Sequence, residues 1–138
     1  MPAAERDADV REPVSRGEQT LSAAPKHVPK PWGYEIHWAH TDRYVGKVLH
    51  ITAGKRLSLQ YHKLKDETIY VYSGRILFET QEGDRLVARE MKPGDSVHIP
   101  PPTIHRMTAI EDSDVLEVST PHLDDVVRLK DDHGRAAE

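Results

Sequence analysis

The feature that most constrains this chain is a series of short extended segments that turn residues separate at close intervals. We predict strands over residues 34–38, 44–51, 56–62, 68–72, 75–80, 85–90, 96–99, 105–109 and 115–120. These segments are rich in valine, isoleucine, leucine, tyrosine and threonine, and turns such as Ser73-Gly74 and Pro93-Gly94 lie between them. A helical pattern appears only late, over residues 123–129. The sequence therefore predicts an all-β antiparallel sandwich or barrel with a short C-terminal helical extension.

Length and composition predict one folded domain that follows a disordered tail. A chain of 138 residues is long enough for one domain of ordinary size but not for two. Residues 1–27 show no periodicity and carry little apolar surface whose burial would offset the entropy cost of ordering. We expect disorder over residues 1–27 and the folded domain over residues 28–138. The alternative for the tail is a short strand or helix around residues 18–24 that docks on a partner subunit. Because the tail lacks the basic start and apolar run of a secretory signal, we expect a cytoplasmic location.

Charge and cysteine content argue against several classes of function. Lysine and arginine number 19 and aspartate and glutamate 23, and the resulting net charge of −4 argues against a nucleic-acid partner. No apolar run approaches the roughly 20 residues that span a bilayer, so we expect no membrane partner. The absence of cysteine excludes disulfides, thiolate metal sites and a cysteine nucleophile. Nine histidines remain, so a metal ion would be held by nitrogen and oxygen ligands.

Polar residues at fixed spacing in two stretches form a candidate metal site. The potential ligands are Gln60, His62 and Glu67 in the first stretch and His105 in the second. Side chains at i and i+2 on one strand share a face, so Gln60 and His62 point the same way. With their flanking glycines, these residues resemble the two cupin motifs, G-x5-H-x-H-x4-E-x6-G and G-x5-P-x-G-x2-H, with Gln60 at the first histidine position. The resemblance implies a single cupin barrel in which all four residues bind one divalent metal ion.

A closer resemblance extends over residues 30–135. The matching strings are KPWGYE at residues 30–35, GKRLSLQYH at residues 54–62, DDVVR at residues 124–128 and DDHGR at residues 131–135. They resemble the isomerase domain of type II phosphomannose isomerases, a family that also has glutamine in place of the first histidine. That family follows its glutamate with His-Trp, whereas Thr68 and Ile69 follow Glu67 in this chain. The resemblance implies a metal-dependent aldose–ketose isomerase that acts on mannose 6-phosphate or a similar sugar phosphate.

The resemblance and the strand alternation indicate further site residues. The candidate phosphate ligands are Lys47, Arg56 and Arg128. Lys47 and Arg128 match positions of the family. Arg56 has the same parity as Gln60 and His62 on the predicted strand over residues 56–62. His98, Lys65 and a metal-bound hydroxide are candidates for the group that moves a proton between adjacent carbons, while the ion stabilises the enediolate. Zinc or manganese suits this redox-neutral chemistry best, and iron or nickel also suits the ligands.

Two other functions are compatible with the same ligand set. An iron-dependent cupin dioxygenase would bind O2 at an open coordination position, although such sites more often use an all-nitrogen or three-histidine set. A non-catalytic cupin would bind a sugar or another small metabolite without turnover, and the absence of the family's His-Trp pair leaves this alternative open. In each case the partner is a small molecule. Exposed strand edges, and aromatic residues over residues 34–38 and 70–72, favour a homodimer.

Overall fold

The structure, a computed structural model, describes residues 15–16, 19–21 and 23–136. No helix is present in these ranges, and so none that is long and apolar enough to cross a membrane. Strands β1 (Ser15–Arg16) and β2 (Gln19–Thr20) pair with each other. The strands that follow are β3 (Lys26–Lys30), β4 (Gly33–His40), β5 (Val45–Ile51), β6 (Leu59–Tyr61), β7 (Glu67–Ser73), β8 (Ile76–Glu82), β9 (Arg85–Met91), β10 (Ser96–Ile99), β11 (His105–Ala109), β12 (Ser113–Ser119) and β13 (Val127–Lys130).

These later strands form two antiparallel sheets. One sheet has six strands in the order β10-β7-β12-β5-β4-β3, and the other has five in the order β13-β6-β11-β8-β9. The chain crosses repeatedly from one sheet to the other, so that β5 pairs with the distant β12 and β6 with the distant β11. This arrangement is that of a jelly-roll barrel, and it confirms the predicted all-β fold class.

The predicted C-terminal helix is wrong. Within residues 123–129 the chain forms a turn and then enters β13, which pairs with β6 through Val127 and Arg128. Because β6 pairs with β11 on its other side, β13 covers an edge that would otherwise be exposed. Consecutive valines also favour a strand, since branching at Cβ restricts their rotamers in a helix. Sheet pairing therefore overrides the weak helical spacing of this segment.

Two other boundaries differ from those predicted. The predicted strand over residues 56–62 is reduced to β6 and an isolated bridge between Arg56 and Thr108. Strand β3 is absent from the predicted series, and its first residues, Lys26 and His27, pair with β4. The predicted tail over residues 1–27 falls largely outside the described residues, so its disorder and the domain boundary stay predictions.

The inner faces of the sheets change from apolar at one end of the barrel to charged at the other. Along β5, Ile51 and Leu49 share the inner face with Lys47, and along β12, Val115 shares it with Glu117, all of them buried. Every second residue of a strand points to the same face, so the change occurs at the same level in neighbouring strands. The apolar cluster consists of Trp32, Leu49, Ile51, Leu57, Ile69, Val71, Ile76, Phe78, Met91, Ile99, Met107, Ala109 and Val115. This cluster supports the charged end, where a site can form.

Two turn glycines allow a matched test of how closely the chain packs around each turn. Gly74 and Gly83 have φ angles of +83° and +67°, in the left-handed region. A Cβ at Gly74 would lie 2.3 Å from the carbonyl oxygen of Asp112, whereas nothing lies within 4 Å of a Cβ at Gly83. We expect Gly83→Ala to lower the free energy of unfolding by about 1–2 kcal/mol through backbone strain. Gly74→Ala should cost about 1–3 kcal/mol more, because its methyl group overpacks the turn. Equal losses in urea denaturation would contradict this difference.

Candidate metal centre

Three buried side chains converge at the charged end of the barrel. His62 follows β6, Glu67 begins β7 and His105 begins β11, so both sheets contribute. The Oε2 atom of Glu67 lies 2.8 Å from Nε2 of His62 and 3.5 Å from Nε2 of His105. Two ligand atoms about 2.1 Å from one tetrahedral ion lie roughly 3.4 Å apart. One ligand atom from each residue therefore lies at a spacing that suits a single metal ion.

Hydrogen bonds to backbone carbonyls fix the orientation of both imidazoles. Nδ1 of His62 donates to the carbonyl oxygen of Asp125 at 2.6 Å, and Nδ1 of His105 donates to that of Thr103 at 2.9 Å. Since a carbonyl oxygen only accepts, each Nδ1 carries a proton, and each Nε2 is the ring atom left to face Glu67.

The contact between His62 and Glu67 brings two buried ligand atoms together. Nε2 of His62 and Oε2 of Glu67 are both buried, and neither has a hydrogen-bond partner within the part of the chain that the structure describes. Two buried lone pairs at 2.8 Å repel each other unless a proton or a metal ion lies between them. The residues therefore fit a bound metal ion.

The charge states of the ligands also suit a metal. Burial would raise the pKa of Glu67, but a hydrogen bond from the ring of His62 when that ring is protonated, together with Lys65 and His105, outweighs burial and lowers it, so the side chain is a carboxylate. Burial lowers the pKa of His105, although Glu67 opposes this effect. An anionic carboxylate and neutral imidazoles are the forms that bind metal ions. With a divalent ion, one carboxylate leaves a net charge of about +1 at the site.

Gln60 lies beside these three residues in the cavity wall. It pairs with His105 across β6 and β11, and its Oε1 accepts a hydrogen bond of 2.6 Å from the hydroxyl of Ser58. An amide oxygen has two lone pairs, so this bond leaves one free. Gln60 as a fourth metal ligand stays a proposal.

Asp125, which the sequence analysis did not single out, holds the loop that follows His62. Its side-chain oxygens accept the backbone N–H groups of Lys63, Leu64 and Lys65 at 3.0, 2.6 and 2.8 Å. Burial opposes ionisation, but these three amides lower the pKa of Asp125 to about 2. Asp125 therefore fixes the imidazole of His62 through its backbone carbonyl, and it fixes the loop that leads to Glu67 through its side chain.

Buried ion pairs extend from the metal ligands along the inner face of the six-stranded sheet. Nζ of Lys65 lies 2.8 Å from Oε2 of Glu117 and 3.7 Å from Oε1 of Glu67. Glu117 and Glu67 outweigh burial and raise the pKa of Lys65. Burial, reinforced by Glu67, raises the pKa of Glu117. Further along, Nζ of Lys47 lies 3.3 Å from Oε1 of Glu35. Glu35 and Glu117 were not predicted as site residues from the sequence. A signal was available, because Glu117 has the same strand parity as the apolar Val115 and an inward-facing Lys47 needs a counterion.

Of the other predicted site residues, three line this cavity and two, Arg56 and His98, lie outside it. Lys47, Lys65 and Arg128 line it, and Nε of Arg128 is buried without a hydrogen-bond partner among the described residues. Arg56 does not line it; its guanidinium binds Asp132 at 2.6 and 2.9 Å on the protein surface. His98 does not line it either. The side chain of His98 is 60% exposed and lies 2.7 Å from Asp66.

The enclosed space at the metal ligands is small. Its volume is about 80 Å³. That is room for several waters or one end of a small ligand, because roughly 10–15 Å³ of such space holds one water. The charged residues of its wall are Lys30, Glu35, Lys47, Lys65, Glu67, Glu117, Arg128 and Arg135. Five of these are cations and three are carboxylates, so the wall favours an anionic ligand.

Comparison with known families is consistent with this architecture. The family model described as Cupin domain matches residues 47–120, more than half of the chain. The chain therefore belongs to the cupin family, and its His62, Glu67 and His105 form a group that can hold a metal ion. No curated protein matches the sequence.

Solved structures show the same fold. KdgF from Halomonas sp. is 27% identical, with a TM-score of 0.61, and the match covers 73% of this chain and 90% of that one. Oxalate decarboxylase from Bacillus subtilis is 17% identical, with a TM-score of 0.67, over 76% of this chain and 30% of that one. CapF is 19% identical, with a TM-score of 0.65, over 80% of this chain and 36% of that one. This chain therefore spans only about a third of the latter two proteins, and their low identities show the fold alone.

Metal content of histidine variants tests the assignment of ligands. Wild type and His98→Ala, which removes an exposed histidine outside the cavity, should both retain stoichiometric zinc or manganese after loading and dialysis. His105→Ala should weaken metal binding by at least about a hundredfold, because loss of a direct ligand exceeds the 10- to 100-fold effect of losing its supporting partner. Stoichiometric metal in a His62→Ala/His105→Ala double variant, measured by plasma mass spectrometry, would overturn the assignment.

Proposed function

We propose that this cupin is a metal-dependent aldose–ketose isomerase whose substrate is mannose 6-phosphate or a similar sugar phosphate. The observation that carries the proposal is the buried contact between Nε2 of His62 and Oε2 of Glu67, two ligand atoms in the wall of a cavity rich in cations. The strings at residues 30–35 and 54–62, which resemble those of type II phosphomannose isomerases, support the choice of substrate.

His62, Glu67 and His105, with Gln60 as the fourth ligand, would hold the ion. A zinc or manganese ion supplies Lewis acidity toward a carbonyl or hydroxyl oxygen of the sugar. Iron or nickel also suits these ligands. The chain itself keeps the imidazoles in place through the carbonyl oxygens described above, so their Nε2 atoms need no reorientation.

Glu117 and Lys65 are suited to move the proton between adjacent carbons. The reaction needs a base that removes a proton beside the carbonyl and returns it to the neighbouring carbon. Glu117 has its pKa raised by burial, toward the range where a carboxylate base is most effective at neutral pH. Lys65 stays protonated because Glu117 and Glu67 raise its pKa, so it serves as a proton donor to a substrate oxygen. The exposed His98 has no part in this scheme.

Lys47 and Arg128 supply the charge that binds substrate oxygens. Arg128 extends from β13 into the cavity with its buried Nε available for a hydrogen bond. Lys47 is only 7% exposed and lines both the metal cavity and the space beyond it. Arg56 is omitted from the proposal because Asp132 binds its guanidinium outside the cavity.

Turnover of mannose 6-phosphate tests the proposal. We expect zinc- or manganese-loaded protein to form fructose 6-phosphate, and protein treated with a chelator to form none. Glu117→Gln should lower kcat by about 10²- to 10⁴-fold, the usual contribution of a general base, with metal content retained. Glu82→Gln, which makes the same change at an exposed position of β8, should leave kcat unchanged.

Two outcomes would reject an isomerase, and a third would change its mechanism. Tight binding of mannose 6-phosphate without turnover would indicate a binding protein, and consumption of O2 by iron-loaded protein would indicate an oxygenase. Full activity of Glu117→Gln would remove that residue from the mechanism while leaving the metal site in place.

We also propose that the protein is a homodimer through the outer face of the six-stranded sheet. Tyr70, Tyr72 and Val118 lie on neighbouring strands β7 and β12 and are 43%, 66% and 53% exposed. Exposed apolar side chains grouped on one sheet face mark an interaction surface more often than single ones do. A second copy of the same face is the simplest partner, since two-fold dimers bury identical patches.

Molar mass in solution tests the dimer. Light scattering at micromolar concentration should give the mass of two chains for wild type. The double variant Tyr72→Lys/Val118→Lys should give the mass of one chain, because dimerisation would bury its two lysine charges in the proposed interface. Leu86→Lys, at a 39% exposed position of β9 in the other sheet, is the matched control and should remain dimeric. A wild-type monomer would reject the proposal.

A further inference from the structure

A second and larger space adjoins the metal cavity. It is a groove of about 500 Å³. Its lining residues are Ala23, Ala24, Lys26, Val28, Lys30, Glu35, His37, Trp38, His40, Lys47, Leu123 and Asp124. Lys30, Glu35, Lys47 and Leu123 also line the metal cavity, so the two spaces share a wall. A ligand that occupied both spaces would pass beside these four side chains.

The sizes of the two spaces indicate that a sugar phosphate needs both. Sites for small organic ligands are usually about 300–1,000 Å³. The metal cavity alone, at about 80 Å³, is below this range, and the groove, at about 500 Å³, is within it. The reacting end of the substrate fits beside the metal ligands, and the rest of the molecule must lie in the groove.

Strand β3 supplies the groove with two cations, Lys26 and Lys30, that form no ion pair within 4 Å among the described residues. Lys26 and Lys30 are four residues apart on one strand and share a face, roughly 13 Å between their Cα atoms. Neither side chain forms an ion pair or hydrogen bond with another described residue. Their long, flexible stems allow both ammonium groups to approach one anionic group that lies between them.

The carboxylates of the groove do not cancel this charge. Glu35 already faces Lys47 at 3.3 Å and His37 at 2.8 Å, and these groups together with Lys30 hold its pKa low despite burial. Asp124 is exposed to solvent. The charge of Lys26 and part of that of Lys30 thus remain available to a ligand.

An aromatic side chain at the groove offers a surface for the sugar ring. Trp38 is 47% exposed, and its ring lies over Gly46, where a Cβ would be only 2.7 Å from the ring. The missing side chain at Gly46 lets the indole lie against β5. A fixed aromatic face of this kind provides a large apolar contact at low entropy cost.

Resting on the proposed function, we infer that the groove binds the phosphate of the substrate through Lys26 and Lys30, while the carbonyl end of the sugar enters the metal cavity. Lys47 lies at the junction and contacts the substrate from the cavity side. The assignment gives the substrate a direction, with its phosphate toward β3 and its reacting carbons toward Glu67 and Glu117.

Binding measurements on charge variants test this assignment without requiring turnover. Calorimetric titration of metal-loaded protein with mannose 6-phosphate, free mannose and inorganic phosphate should show the tightest binding for the phosphorylated sugar. Lys26→Ala/Lys30→Ala should weaken binding of mannose 6-phosphate by about ten- to a hundredfold, the effect of losing charge-assisted hydrogen bonds. Binding of free mannose and the metal content should not change. Inorganic phosphate should compete with mannose 6-phosphate in wild type and lose this ability in the variant.

The matched control is Lys55→Ala/Lys92→Ala, which removes the same charge from two exposed lysines that line neither space. It should bind like wild type. Equal affinity of the two double variants for mannose 6-phosphate would overturn the inference, as would failure of wild type to bind either phosphate compound.

The outcomes separate this inference from the proposed function. Lysine-dependent phosphate binding without isomerase activity would support the groove and reject the isomerase. Isomerase activity with an unchanged KM in Lys26→Ala/Lys30→Ala would support the isomerase and reject the groove.

Discussion

The arrangement of the charged end of this barrel depends on one contact, the approach of Nε2 of His62 and Oε2 of Glu67, which is unfavourable unless a proton or a metal ion lies between them. An unpaired buried polar atom costs on the order of 1–3 kcal/mol, and a buried carboxylate without partners costs more. The chain does not relieve the contact by rotating either group. Instead, the carbonyl oxygen of Asp125 holds Nδ1 of His62, and Lys65 stands on the far side of Glu67. The surrounding structure thus holds the two ligand atoms at a spacing that suits a bound cation.

Burial of apolar side chains in the other half of the barrel offsets the free-energy cost of burying these charges. Lys47 and Glu117 pair across β5 and β12, and one step further the inner face carries Leu49 and Val115, both almost fully buried. Opposite charges alternate along the inner face, so each buried ion has a partner of opposite sign nearby. Removing one partner would leave an uncompensated charge, which costs far more than the pair contributes. Strand alternation therefore determines the positions of these charged side chains together, because it places all of them on the same inner face.

Strand alternation also decides what could be predicted from the sequence. His62, Glu67 and His105 were identified from spacing because the spacing is fixed by the strands that carry them. The same reasoning failed for Arg56. It assumed one strand over residues 56–62, but the isolated bridge at Arg56 ends before β6 begins, and the alternation restarts at Leu59. Arg56 pairs with Thr108, between the inward-facing Met107 and Ala109, and therefore points outward.

His98 follows the same rule in pairing with Thr68, the neighbour of inward-facing Glu67. Its outward orientation also follows from alternation within β10, because Val97 and Ile99 on either side of it pack toward the core. The contribution of residues 123–128 was missed because a local helical pattern says nothing about the uncovered edge of β6.

That segment connects the two halves of the proposed site. Leu123 lines both the metal cavity and the groove, Asp125 orients His62 and holds the loop before Glu67, and Arg128 extends into the cavity from β13. A ligand that presses on Leu123 from the groove therefore acts on the same short stretch of backbone that positions a metal ligand. A helix over these residues would have bonded its own carbonyl groups internally, including that of Asp125. The extended course of this segment is what leaves the carbonyl oxygen of Asp125 free to fix the imidazole.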